Sequence, residues 1–282
     1  MHIVIGGGDA RMGYAAKRLQ SKGCSVTFWG CDRAVTDLCP SAKVLLAAPQ
    51  KADLLLLPLP LTRNGETVAN ASLSLTEVEE VICRFSTLLC GAPTLSFCQK
   101  AEHAGVRVVD LLREEAYVTP VAHMTADAAL GLLLTHTKRR FCDLSVGILG
   151  YGRIGRCLAK ELLCLGARVT VFARGKEKPA LAKADGVTQV EEMPRGTEAL
   201  ASLSVLINTV PAPTVSEEIL KSLPSDLLLI ELATGVHFPS PTAQPLVLGH
   251  GLPGKILPLS AGELLADLCL PYLTENIYPP LY

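Results

Sequence analysis

Long cationic runs are missing from this chain. Its 26 Lys and Arg stand against 27 Asp and Glu, a formal net charge of −1. That balance argues against nucleic acid or an anionic membrane surface as the main partner. The apolar runs Leu54–Leu61 and Leu227–Leu232 fall well short of the ~20 residues a bilayer span needs. The start, Met1-His-Ile-Val-Ile, lacks a basic segment and a cleavage-type site. It reads as a strand, not a signal peptide, and a cytoplasmic location is the expectation. None of the ten cysteines forms a Cys-x-x-Cys, and Cys24, Cys31, Cys39 and Cys83, Cys90, Cys98 are seven or eight apart. That is not metal-ligand spacing, so reduced, mostly buried thiols and no metal are expected. Low-complexity segments are absent as well.

What is present is a large apolar fraction, 49% of 282 residues, enough for about two domains. Strand-like and helix-like segments alternate along the chain, which argues for parallel sheets. Two βαβ openings stand out. One runs from His2 through a helix at Met12–Lys22 to Ser25–Trp29, the other from Val146 to Phe172. The fold expected is α/β, two Rossmann-like parallel-sheet domains with a cleft between them. The boundaries read as 1–121 for an N-terminal substrate domain, joined by 264–282, and 122–263 for a cofactor domain. In between, the pattern predicts a helix over Leu75–Leu89, a strand at Thr94–Phe97 and a joint at Leu111–Thr119. A helix should then run from Ala122 to about Arg139, with Ala126, Ala129, Leu130 and Leu133 on its apolar side. Thr197–Leu203 reads as a helix. Ser260 and Glu263 have capping-box spacing for a last helix, and Pro279–Tyr282 reads as a loose tail.

The second opening carries Gly150-Tyr-Gly152-Arg-Ile-Gly155 between a strand and a helix. In a dinucleotide site the first glycine makes the tight turn, the second admits the pyrophosphate and the third lets helix and strand pack. Free N–H groups at the helix start then face the negative charge. The six residues Gly150, Tyr151, Gly152, Arg153, Ile154 and Gly155 are therefore candidate cofactor ligands; the alternative is a tight βα turn with no ligand. NAD sites usually carry an acid at the end of the next strand, for the ribose 2′-OH. Here that position is Ala173, followed by Arg174, with Lys176 and Lys178 beyond. A missing acid beside cations suits a 2′-phosphate. The expected cofactor is NADP, with a solvated turn as the alternative.

Other strand-end loops hold the remaining candidates, because ligands of open α/β sheets bind there. Gly8, Asp9 and Arg11 follow the first strand; Asp9 is equally placed to be a helix N-cap. Thr62 and Arg63 follow a Pro-x-Pro and could be held for an anion, or could belong to a plain surface loop. Thr125 and His136 are eleven residues apart, so they share a helix face. A histidine there is more often packed or solvated than catalytic.

These residues resemble the A-subunit family of dipicolinate synthase, relatives of the NAD(P)-binding D-2-hydroxyacid dehydrogenases. The shared elements are Gly7-Gly-Asp-Ala-Arg11, the Leu57-Pro loop, Thr135-His-Thr137, the glycine turn, Gly166-Ala-x-Val-x-Val with Ala173-Arg174, and Ile207-Asn-Thr-Val-Pro211. Gly251-Leu-Pro-Gly254 and Ser260-Ala-Gly262 complete the set. The resemblance spans nearly the whole chain. It implies oxidation of a dihydrodipicolinate-type substrate to pyridine-2,6-dicarboxylate with NADP. It also implies a small flavoprotein-like partner, the dipicolinate synthase B-subunit, and a role in the mother cell during spore formation. A substrate with two carboxylates needs cations, for which Arg11, Arg63, His136 and Lys255 are candidates, with Gly8, Thr62 and Thr125 beside them. His136 and Asp9 are the first candidates for a base. Asn208, Thr209, Val210 and Pro211 are expected to border the nicotinamide, with Ala233 after the following strand.

Some positions depart from the family pattern. A Pro-Thr-x-Glu-Gly is replaced by His123-Met-Thr-Ala-Asp127, keeping Thr125 but with Asp127 for the Glu. Ala233-Thr-Gly-Val stands for a Pro-Gly-Gly, and Lys255 for an apolar residue. These changes leave two other readings open. One is an NADP-dependent 2-hydroxyacid or shikimate-type dehydrogenase, for which His237 and His250 are present without a convincing catalytic trio. The other is a non-catalytic nucleotide-binding protein that needs a partner. The oligomeric state, a homo-oligomer included, is also open.

Overall fold

Strand β1, His2–Gly6, is buried on both faces, as expected for a parallel sheet covered on both sides. Ile3 and Ile5 pack with Met12, Ala15, Ala16 and Leu19 of the first helix, Ala10–Ser21. Val4 turns the other way, into a cluster with Leu55, Leu88 and Phe97. The molecule is described by a computed structural model over residues 1–274; the tail expected at Pro279–Tyr282 lies outside the described residues.

Strands β2 (Ser25–Trp29), β3 (Lys43–Leu45), β4 (Ala52–Leu56), β5 (Phe85–Cys90) and β6 (Arg107–Asp110) join β1 in a parallel sheet of order β3-β2-β1-β4-β5-β6. A second sheet contains β7 (Ser145–Leu149), β8 (Arg168–Phe172), β9 (Gln189–Glu191), β10 (Val205–Asn208), β11 (Leu228–Glu231) and β12 (Leu246–Leu248), in the order β12-β11-β10-β7-β8-β9. Counted from β7, this is the same succession as the first. Both follow the doubly wound order, with the direction of winding reversing beside the first strand, where such sheets bind ligands. Those switch points lie between β1 and β4 and between β7 and β10. The fold is thus two Rossmann-like α/β sheets.

The chain divides into two compact units, Met1–Val121 with the segment from Gly254 onward, and Ala122–Pro253. The returning segment forms the helix Pro258–Thr274, which packs on the first helix. A Cβ on Gly262 would stand 2.5 Å from the Arg11 carbonyl oxygen and 2.7 Å from Tyr14 Cβ, so only glycine allows this approach. Arg18 closes the pair with a two-pronged bond to Asp267, 2.8 Å on each prong.

Several elements differ from the sequence expectation. Residues 75–89 are not one helix. The Ser74–Glu77 capping box starts a helix that ends at Glu80, and Phe85–Cys90 is strand β5. A strand buried on both faces has no polar alternation, so its apolar run resembles a helix face. The strand expected at Thr94–Phe97 is the start of helix Leu95–His103, with the Thr94 hydroxyl accepting from the Phe97 amide. The segment read as a joint is helical from Glu115, and that helix continues to Thr137 through Pro120. It is the one helix among the described residues long and apolar enough to cross a membrane by length and composition. Thr197–Leu203 forms turns only. The last helix starts at Pro258 rather than Ser260, with proline at its first position, where the missing N–H costs nothing.

Candidate functional site

The turn after β7 gives each glycine a separate reason. Gly150 has φ +97°, and a Cβ there would lie 2.7 Å from Thr209 Oγ1 and Val210 Cγ2. Any side chain would push apart the loops that follow β7 and β10. A Cβ on Gly155 would collide with the Gly150 carbonyl oxygen, so helix Arg153–Cys164 can approach the strand only without one. Gly152 is different: a Cβ there meets nothing within 4 Å. It caps the helix with no side-chain bond to the first amides. Those N–H groups stay available, and a phosphate can approach the backbone where a side chain would stand. The turn fits a dinucleotide pyrophosphate.

Tyr151, within this turn, is committed elsewhere. It is 2% exposed and its hydroxyl donates to Asp185, 3.0 Å away. Asp185 also receives Arg156, at 2.6 and 3.0 Å, and Lys160, at 2.9 Å. These cations, Arg156 foremost, hold its carboxyl well below the usual range. Burial and Asp185 push the Tyr151 hydroxyl up. Its side chain therefore props the helix, and only its backbone is available to a cofactor.

At the end of β8, Ala173 is buried and its amide donates to the Glu191 carbonyl. Beyond it, a pocket of about 470 Å³ is lined by Ala173, Arg174, Gly175, Glu192, Met193, Pro194, Arg195 and Thr214. Arg174 thus faces a cavity, whereas Lys176 lies outside that lining, at the start of helix Glu177–Ala184. Arg195 and Glu192 were not legible as site residues, because nothing in the sequence brings the loop after β9 beside Arg174.

The ends of β10 and β11 are tied by a buried pair. Asn208 and Glu231 are both fully buried. The Asn208 amide donates to Glu231 Oε1 at 2.8 Å and to the Val210 carbonyl at 2.9 Å, and its oxygen accepts from the Val210 amide at 3.1 Å. Glu231 also accepts from the amides of Ala233, at 3.3 Å, and His237, at 2.9 Å. The Thr209 hydroxyl donates to the Leu149 carbonyl at 2.9 Å. Asn208 therefore shapes the Thr209–Pro211 loop rather than reaching out from it. The sequence shows Glu231 only as an acid inside an apolar strand.

In the N-terminal unit, Gly7 and Gly8 both have positive φ, +68° and +93°. They turn the chain so that Asp9 caps the first helix, accepting from the Arg11 amide at 3.1 Å. Arg11 returns a two-pronged bond to the Asp9 carboxylate, 2.8 Å on each prong. It also donates to Tyr117 Oη at 3.4 Å and to the Leu59 carbonyl at 3.3 Å. Burial works against the Arg11 charge, but Asp9 and Tyr117 hold its pKa above the ordinary value. Leu59 lies in the loop after β4, so Arg11 bridges the switch point of the first sheet. A Cβ on Gly254 would stand 3.0 Å from Arg11 Nε and 3.2 Å from Asp9 Oδ2. Thr62 is occupied with its own loop, donating to Asn64 and accepting from the Gly65 amide. Arg63 and Lys255 are exposed.

His136 is placed against the catalytic expectation. Its Nδ1 is bonded back to the Leu132 carbonyl at 2.9 Å. It lines a pocket with Leu144, Ser204, Leu228 and Pro245, residues at the N-terminal ends of β7, β10, β11 and β12. The glycine turn lies at the C-terminal ends of the same strands, so the sheet separates the two. Thr125, three helical turns earlier, is buried. Nearby, Glu161 on the glycine-turn helix faces His123 at 4.0 Å, and its Oε2 is buried without a partner among the described residues. Burial, with Asp127 adding to it, pushes its pKa up to about 7.

Two family models match the chain: the N-terminal domain of the dipicolinate synthase A-subunit over residues 2–112, and the D-isomer specific 2-hydroxyacid dehydrogenase NAD binding domain over residues 134–239. The dipicolinate synthase A-subunit of Bacillus subtilis (strain 168) is 26% identical, over 98% of this chain and 96% of its own length. The crystal structure of the A chain of dipicolinate synthase from Bacillus subtilis has a TM-score of 0.81 at 23% identity, covering 98% of this chain and 96% of that one. The A-subunit structure from Bacillus halodurans has a TM-score of 0.79 at 25% identity, covering 96% and 97%. The chain therefore resembles the dipicolinate synthase A-subunit from end to end. Its second unit matches a dehydrogenase NAD binding domain over residues 134–239, which supports a nicotinamide dinucleotide as its cofactor.

Proposed function

We propose that this chain oxidises a dihydrodipicolinate-type dicarboxylate to pyridine-2,6-dicarboxylate with NADP, in the cytoplasm of a sporulating cell and together with a small flavoprotein-like partner. The observation that carries this reading is the convergence of three family elements on one residue, Arg11. Gly7–Arg11 supplies the Asp9–Arg11 pair, Gly254 leaves room for it, and Gly262 seats the last helix against the Arg11 carbonyl. Asp9, Tyr117 and the Leu59 carbonyl keep the guanidinium in place, as recognition of a planar carboxylate by Arg would require.

In this reading Gly152 and the amides of the following helix hold the pyrophosphate, Arg174 the 2′-phosphate, and the Thr209–Pro211 loop with Ala233 borders the nicotinamide. When bound, the cofactor supplies the hydride acceptor. Arg11 orients one substrate carboxylate, with Arg63 and Lys255 as further cations and Gly8 and Thr62 beside them. Asp9 is the proposed acceptor of the ring proton, since aromatisation gives up one hydride and one proton. His136 has no part in it.

The test is NADPH formation from dihydrodipicolinate and NADP by the purified chain, with and without the flavoprotein-like partner. Arg11→Ala should lower kcat/KM by about a hundredfold while leaving NADP affinity within about twofold. Loss of NADP binding in that variant would move Arg11 to the cofactor. Absence of turnover with or without the partner would favour a 2-hydroxyacid or shikimate-type substrate.

A further inference from the structure

We infer that Arg195 is a second ligand for the 2′-phosphate of the cofactor and decides, with Arg174, between NADP and NAD. This rests on the NADP reading above. The two arginines are 21 residues apart in sequence, but β8 and β9 are neighbouring parallel strands. Phe172 pairs with Glu191, and the Ala173 amide donates to the Glu191 carbonyl at 3.0 Å. The loops leaving both strands therefore start side by side, and Arg174 and Arg195 line one pocket together with Gly175. Gly175 has φ +77° and leaves open space where a side chain would be.

The other charged groups sharpen the assignment. Arg140 and Arg156 of this unit are tied to Asp143 and Asp185. Arg174 and Arg195 both line the cavity and have no hydrogen-bond or ion-pair partner among the described residues. Two free guanidiniums on one cavity form a site for a group of charge about −2 that accepts several hydrogen bonds. The ribose of NAD, which offers a hydroxyl there, gains little from them. Glu192 is the acid in the same lining, and it defines the competing arrangement. If Glu192 took the ribose hydroxyls instead, the pocket would serve NAD.

Equilibrium titration of the full chain with NADP, NAD and adenosine 2′,5′-bisphosphate separates these cases without recourse to activity. Arg195 is exposed, so Arg195→Ala should fold, which circular dichroism checks. It should weaken NADP and the bisphosphate by about tenfold or more and leave NAD within about twofold. Arg195→Lys should recover only part of the loss, because an ammonium lacks the planar fork. A wild type that prefers NADP, with an Arg195→Ala variant that loses no preference, overturns the role of Arg195 and leaves the NADP reading intact. A wild type that prefers NAD, with that affinity lost in Glu192→Gln, overturns the NADP reading and this inference with it.

Discussion

Glycine 152 and glycine 155 differ by three positions and by the physics that requires them. The space beside Gly152 is open within 4 Å and its φ is −86°, so alanine adds neither collision nor strain. Gly152→Ala should change unfolding free energy by less than about 0.5 kcal/mol yet weaken dinucleotide binding about tenfold or more, since the methyl takes the place of the pyrophosphate. Gly155 abuts the Gly150 carbonyl. Gly155→Ala should lower stability by about 1–3 kcal/mol through overpacking and lose binding as a consequence. Denaturant unfolding and cofactor titration on both variants check the contrast; equal stability losses would refute it. The spacing of these glycines was legible in the sequence, but which protects packing and which keeps a ligand path open was not. That distinction depends on Thr209, Val210 and the Gly150 carbonyl, which only the fold brings together.

Between elements, the contact of helix Glu115–Thr137 with helix Arg153–Cys164 carries a titratable group. Glu161 faces Asp127 and His123 from the first of these helices, with Cys157 and Lys160 on its own. Its folded-state pKa of about 7 lies above the ordinary carboxylate value of 4.5. Across that window the folded state binds more protons than the unfolded one. Stability should therefore fall as pH rises from about 4.5 to 7 and level off above it. Glu161→Gln should flatten that slope, as read from unfolding midpoints at a series of pH values; an unchanged slope would assign it to other groups. Burial of the acid was not readable from the sequence, because a helical Glu beside Lys160 looks solvated. The element boundaries at 75–97 were misread for a related reason. Strand β5 is wrapped on both faces, and that removes the alternation by which a strand is recognised.

For the whole molecule, the cofactor-binding groups proposed above all lie in Ala122–Pro253, while the Asp9–Arg11 pair and the glycines that make room for it belong to the other unit. A ligand that binds only the folded state stabilises it by mass action. NADP at one hundred times its dissociation constant should add about 2.7 kcal/mol to unfolding free energy, and NAD at the same concentration distinctly less. Hydrogen exchange should slow first at the amides that follow Gly152. Equal stabilisation by the two cofactors would count against the 2′-phosphate site. The parallel pairing within both sheets was implicit in the βαβ pattern, but the strand order was not, because right-handed crossovers are compatible with more than one doubly wound order. The return of the chain to the first unit after Pro253 was less visible, because helix Pro258–Thr274 begins on a proline and contains another at Pro271.

By itself the sequence determined the features that are local: apolar runs of strand length, glycines at the spacing of a dinucleotide turn, and the lack of an acid at Ala173. Each of these acts over a few neighbouring residues, where backbone geometry and periodicity are sufficient. The tertiary structure alone decided which side chains are free to act. It oriented Arg11 through Asp9 and through Tyr117, 106 residues away, and locked Asn208 to Glu231. It set His136 at the N-terminal edge of the second sheet and put Arg195 on the same cavity as Arg174. A side chain's availability depends on which partner reaches it first, and in a doubly wound sheet those partners come from strands that are neighbours in space but distant in sequence.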